Sequence, residues 1–383
     1  MKKHFAIYAV LLAVMATACR KDDFTPASGD AIRFGSPQIS VGELGTFETR
    51  SSFQEDYLPD GATFGVMGYC VPYFQGSSTM QDWAAGAYGW GSIRTNAFPD
   101  VFYNQKVTCQ GTTCIYDYEN QSGAGPRRWY NAEDWPEAVN ADAYQYTFFA
   151  WYPYDGFNNG GFTLDTPVSA TAKGAPKLTF TMPFAEDSDP TTLLDDSRIP
   201  DAMLAVAYNR RKSDGAVTLN FSHILVGLGF AVTNYHESAD IKVNSVTLHG
   251  SFVRSITVDF NRNSGETGFY AYEGRYNGIY TLSDTPFVLE PSGNVSLVGD
   301  KHLLLLSDVK GEFLGDVKVT VNYTYDGETR NFTTGRPGSF MPHAGTKYTA
   351  HLNFIGESFV INFEAENQWE NGNEDDNEEI IIQ

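Results

Sequence analysis

The groups that could do chemistry in this 383-residue chain are seven histidines, four cysteines and 47 acidic residues. The histidines are scattered. His223 falls in phase with Val217, Leu219 and Phe221, so it is expected to point into a core as a buried, hydrogen-bonded side chain. His351 falls on a polar strand face, and His236 and His249 show no partner pattern. Glu186, Asp187 and Asp189, and Glu374, Asp375 and Asp376, offer the oxygen ligands that calcium takes, but not the spacing of a dedicated calcium loop. Glycoside cleavage needs two carboxylates placed across a sugar, and no pair stands out. Serine-hydrolase, zinc-protease, dinucleotide and phosphate-loop patterns are absent from the sequence. No catalysis, metal or cofactor is expected, and a hydrolase on a β-scaffold is the least favoured reading.

Two groups of residues remain. Cys109 and Cys114 flank Gln110, Gly111, Thr112 and Thr113, so they could face each other across a hairpin and form a disulfide, which would stabilise so short a loop only modestly. Cys70 lies in an apolar run and is expected to be a buried free thiol. No cysteine or histidine cluster has zinc-ligand spacing. Trp83, Trp90, Trp129 and Trp135 could form an exposed aromatic patch that stacks on sugars, although a core or interface role is the commoner outcome for such rings.

The elements that must position these groups follow from composition and pattern. With 26 Lys+Arg against 47 Asp+Glu the net charge is −21, which argues against nucleic acid as a partner. Apolar residues make up 42% and charged residues 19%, enough to bury a core. The 22 Tyr, 27 Phe and 36 Gly suggest strands joined by tight turns. Val317, Val319, Val321, Tyr323 and Tyr325 alternate with polar residues, as do Tyr348, Ala350, Leu352 and Phe354. Val217, Leu219 and Phe221 give another strand, and Ile256, Val258 and Phe260 a fourth. The apolar phase slips by one between Val243 and Val246, as at a β-bulge, and Leu303 to Leu306 suits a strand covered on both faces. Turn signals recur at Asp214-Gly215, Pro291-Ser292-Gly293, Asp326-Gly327 and Pro337-Gly338, and the stretch from Trp129 to Ala138 could hold a short helix or a long loop. The pattern implies β-sandwiches. A basic, polar run at Asn209 to Gly215 suggests a boundary between residues 31–210 and 211–363.

Both ends differ from the body. Lys2 and Lys3 precede an apolar run from Phe5 to Ala18, so residues 1–18 are read as an export signal rather than a membrane span. Ala16-Thr17-Ala18-Cys19 resembles the lipobox of bacterial lipoproteins, which implies cleavage before Cys19 and its acylation, with residues 19–30 as a linker. Arg20-Lys21-Asp22-Asp23 resembles surface-export tags of Gram-negative anaerobes, which favours the outer face of the outer membrane. Residues 364–383 carry eight acidic residues and no basic one, then close on Ile380-Ile381-Ile382. Branched apolar residues with nothing local to pack on suggest a strand awaiting a partner.

Several pieces occur in a distinctive order: the lipobox, Ala31-Ile32-Arg33-Phe34, Thr49-Arg50-Ser51-Ser52, Phe64 to Tyr69, Tyr146 to Tyr154, Asp201 to Ala205, and Val217 to His223 opening a strand pair that ends at Gly250. Together they resemble the fimbrillin family, the lipoprotein-derived subunits of type V pili. The resemblance implies an all-β chain of two tandem transthyretin-like β-sandwich domains. It further implies a surface pilus component, with other fimbrial subunits and an arginine-specific protease as partners. Arg50, followed by Ser51, matches the cleavage arginine, and residues 31–49 match the strand that leaves, with Ile32 and Phe34 facing the core. Ile380, Ile381 and Ile382 are then a candidate donor strand for a neighbour's emptied groove. The competing expectation is a surface lipoprotein that binds glycan or host protein without polymerising.

Overall fold

The computed structural model describes residues 31–39, 57–72, 83, 90–116, 127–129, 144–156, 160–183, 199, 201–262, 267–291, 293–298, 302–306, 318–333, 344–368 and 380–381. Cys19, Arg50, Ser51, Trp135, Ile382 and both acidic clusters weighed for calcium lie outside the described residues.

The described chain is almost all strand. It opens with β1 (Phe34–Gly35), β2 (Gln38–Ile39) and β3 (Thr63–Pro72), then a short helix α1 (Trp90–Asn96). There follow β4 (Phe102–Gln110), β5 (Thr113–Tyr116), β6 (Tyr144–Tyr152), β7 (Gly161–Thr166), β8 (Lys177–Thr181), β9 (Met203–Arg210) and β10 (Asn220–His223). The second half holds β11 (Val226–Asn234), β12 (Ile241–Asp259), β13 (Tyr270–Ser283), β14 (Phe287–Leu289), β15 (Val295–Leu297) and β16 (Leu303–Leu305). It closes with β17 (Lys318–Tyr325), β18 (Glu328–Thr333), β19 (Thr346–Ile355), β20 (Ser358–Gln368) and β21 (Ile380–Ile381).

These strands form three sheets. The first runs β1-β5-β4-β3-β6-β9-β10-β2. The second runs β15-β11-β19-β20-β21, with β16 also on β11. The third runs β18-β17-β12-β8-β7, with β13 and β14 also on β12. Alternation along β3 and β6 splits the side chains of the first sheet between two cores. Phe64, Val66, Tyr146, Phe148 and Ala150 enter one core with Phe34 and Phe221. Met67, Tyr69, Phe149 and Trp151 enter the other, which the second and third sheets supply. Strands covered on both faces need apolar residues at successive positions, which is why β6 reads Tyr-Gln-Tyr-Thr-Phe-Phe-Ala-Trp-Tyr.

Much of the expected pattern is present. The phase slip in β12 is a bulge, with register shifts between Val246 and Thr247 and between Val243 and Ser245. Asp326 and Gly327 both take positive φ, 51° and 76°, and join β17 to β18 as a two-residue turn of the kind that matches strand twist. Leu303 to Leu306 are all buried.

Other expectations need correction. β12 does not end at Gly250 but runs on to Asp259. Thr349, on the face of β19 expected to be polar and open, is buried, as is Lys347. Cys70 is half-buried rather than buried. Across residues 210 and 211 β10 pairs with β9, and the β7–β8 hairpin belongs to the same sheet as β12. A polar run marks a surface loop, and strand pairing is free to bridge it.

Candidate functional site

Residues 31–39 occupy a slot in the first sheet. β1 pairs antiparallel with β5, and β2 pairs parallel with β10, so one short segment stands at both ends of the strand order and closes the sheet on itself. Its main chain is held on both sides. On one side Ile32 N–H donates to Arg127 O at 2.8 Å and Ser36 N–H to Thr112 O at 3.1 Å. On the other, Gly35 N–H donates to Val217 O at 3.0 Å, Val217 N–H to Arg33 O at 2.7 Å, and Gln38 N–H to Leu219 O at 3.0 Å. The Tyr116 hydroxyl donates to Ile32 O at 3.0 Å.

Side chains follow the alternation. Ile32 and Phe34 are each 1% exposed and Arg33 between them is exposed. The Phe34 ring sits among Phe64, Phe102, Tyr116 and Phe148, with centroids 5.7 to 6.2 Å away and mostly edge-on. Ile39 is also buried in this core. Burying three such side chains contributes roughly 1.5–3 kcal/mol each. Leu58 and Phe221 complete the apolar wall. Without the segment, the slot would present aromatic rings and a row of unpaired backbone groups.

Cys109 and Cys114 stand directly opposite each other on β4 and β5 as thiols, with sulfurs 3.5 Å apart. Cys114 Sγ also reaches Gly35 O, at 3.5 Å, in the slot segment. The Cys114 thiol donates to Cys109, which holds the Cys109 thiol below its ordinary pKa and pushes the Cys114 thiol above it.

The four tryptophans do not form one exposed patch. Trp83 is 0% exposed and packs on Tyr69 and Phe149 in one core, while Trp129 is 2% exposed and packs on Tyr146 in the other. Trp90 opens α1. At the C-terminus the backbone of β21 pairs antiparallel with Asn362 and Phe363 of β20 in the same chain.

Two buried polar constructions escaped sequence reasoning. His223 is buried as expected, and its partner is Asp201: Nδ1 lies 2.7 Å from Oδ1, with side chains 1% and 0% exposed. The burial of Asp201 also helps explain Tyr152, whose hydroxyl is pushed up to about 12, first by its own burial and then by the carboxylate. Only the antiparallel β9–β10 register brings these residues together. Arg94 of α1 is 2% exposed yet donates to Trp83 O, Phe260 O, Arg262 O and the Tyr208 hydroxyl. It ties α1 and β9 to the end of β12. Among the described residues no group of three or more His, Cys, Asp or Glu could hold a metal ion.

Comparison with known proteins adds the following. A family model described as fimbrillin-like matches residues 111–369. No curated protein matches the chain in sequence. Among solved structures, a fimbrial protein from Bacteroides vulgatus is 17% identical at a TM-score of 0.49, covering 86% of this chain and 99% of its own. A fimbrial assembly protein from Parabacteroides distasonis is 9% identical at a TM-score of 0.36, covering 92% of this chain and 100% of its own.

Proposed function

The chain belongs to the fimbrillin-like family, and from that premise we propose that it is a structural subunit or accessory component of a cell-surface pilus, contributing to adhesion. It is exported by residues 1–18, acylated at Cys19 and carried to the outer face of the outer membrane. An arginine-specific protease cuts between Arg50 and Ser51, residues 31–49 leave, and a strand from a neighbouring subunit fills the slot. Ile380, Ile381 and Ile382 are the candidate donor.

The observation that supports this reading is the slot itself. A segment of nine described residues supplies three core side chains and closes a sheet, and its departure would leave a cavity that only another strand could satisfy in both hydrogen bonds and apolar contact. A head-to-tail contact of this kind propagates into a filament. The β21–β20 pairing supports the capacity of the tail to add to a sheet edge. The glycan-binding alternative loses its aromatic patch, because Trp83 and Trp129 lie in different cores.

Limited trypsin treatment of the chain starting at residue 20 tests the reading. Cleavage after Arg50, loss of the fragment containing Ile32 and Phe34, and growth of ladders that resist SDS are the expected outcome. A monomer that retains residues 31–49 after cleavage would reject strand exchange.

A further inference from the structure

The cysteine pair sits on one wall of the slot. In an antiparallel sheet the two residues of a pair either exchange main-chain hydrogen bonds or turn them outward. Cys109 N–H donates to Ala62 O and Cys109 O accepts from Gly61 N–H, both at 2.9 Å, so its main chain bonds to the β3 side and away from β5. Cys109 and Cys114 are therefore a non-hydrogen-bonded pair, whose Cα atoms stand about 4.5 Å apart, within the span of a disulfide. The sulfurs already face each other at 3.5 Å within the slot's own core. Cys70 lies eight positions further along β3 from Ala62, about 26 Å away, and is out of reach.

We propose that Cys109 and Cys114 close into a cross-strand disulfide that fixes the β4–β5 hairpin as a standing wall of the slot, so that the wall survives when residues 31–39 are withdrawn. Both S–H bonds break and one S–S bond forms. Two protons and two electrons pass to the disulfide of a thiol oxidoreductase in the exporting compartment, which becomes a dithiol. The lowered Cys109 thiol supplies the attacking thiolate. Closure takes place as the hairpin forms, before β1 covers Cys114.

The reason such a staple matters lies in the pairing. β5 is four residues long, with β4 on one side and β1 on the other. Removing β1 strips one of its two neighbours and uncovers Cys114 and Tyr116. Loss of β1 would leave β5 a four-residue edge strand held by β4 alone, so an unlinked β5 would fray and spoil the receiving surface. The disulfide keeps it in register.

The inference rests on the export assigned above, and its test keeps the two apart. The full chain is exported to a bacterial periplasm, purified, alkylated in denaturant and mapped by mass spectrometry. Processed protein with Cys109 and Cys114 linked and Cys70 alkylated is expected. Processed protein with all three alkylated, or with Cys70 in the link, overturns the disulfide. Unprocessed protein overturns the export reading, and the link is then sought after refolding the chain in a glutathione redox buffer, where its absence overturns the disulfide as well. The wall is tested in a Phe34→Ala background, which loosens the segment without proteolysis, or in Ile32→Ala if Phe34→Ala does not fold. Trypsin cleavage after Lys106 in β4 is timed with and without a phosphine reductant. Reduction is expected to speed that cleavage about tenfold. The Cys109→Ser/Cys114→Ser form should cleave at the fast rate under both conditions. Equal rates in the linked and reduced forms would overturn the proposed role.

Discussion

Phe34 is the residue on which the slot depends most. It is 1% exposed and touches four aromatic rings. Truncation of a ring in such a place removes both its transfer energy and its partners' contacts. Phe34→Ala is expected to cost about 3–5 kcal/mol in denaturant unfolding, whereas Arg33→Ala, on the exposed face, should fall within about 0.5 kcal/mol. If Phe34→Ala changes stability no more than Arg33→Ala does, the segment is not seated as described. The alternation that separates these two residues is legible in Ile32-Arg33-Phe34 alone. The identity of the rings around Phe34 is not, because they come from β3, β4, β5 and β6. Arg94 makes the same point more sharply. Three of its four partners are main-chain carbonyls, and every residue has one, so no sequence pattern announces the site.

Among the elements, β3 and β6 show how sheet pairing sets residue choice. Gly65 lies opposite Trp151, and a Cβ on Gly65 would run into the indole ring. The glycine is there because the tryptophan lies across the strand. Gly65→Ala is expected to lose about 1–3 kcal/mol, and Trp151→Ala in the same molecule should recover part of that loss. Strictly additive losses in the double-mutant cycle would mean that the ring does not lie over Gly65. Strand periodicity found β17, β19 and the bulge of β12. It read Ile256, Val258 and Phe260 as a strand of their own, where β12 runs unbroken from Ile241 to Asp259, and it misjudged the early part of β19, since alternation reports how many faces are covered only where the covering is uniform along a strand.

For the whole molecule, charge governs how one copy meets another. A chain at −21 repels its copies, and the proposed donor segment lies in the most acidic stretch. Screening shortens the range of that repulsion to about 10 Å at 0.1 M salt. Ladder growth after cleavage should therefore accelerate as salt rises from about 0.01 to about 0.5 M, measured by light scattering at fixed protease exposure. Growth that slows with salt would mean that attraction between opposite charges drives the contact instead. The arrangement of sheets belongs to this scale too. The polar run near residue 210 looked like a division, yet β10 continues the first sheet and β7–β8 extends the third.

The sequence alone determined the all-β class, the strands with one covered face, the tight turn at Asp326-Gly327 and the family, because these depend on local alternation, glycine conformations and an ordered set of short motifs. It also put Ile32, Phe34 and His223 on the inside. Tertiary structure decided which strands meet. It showed that residues 31–39 close a sheet and gave His223 its Asp201. It set the cysteines face to face on the slot wall and sent Trp83 and Trp129 into separate cores. The physical reason is one of range. Alternation is fixed by the geometry of a single strand, whereas register and partner choice are settled by the apolar area and hydrogen bonds that distant segments satisfy together.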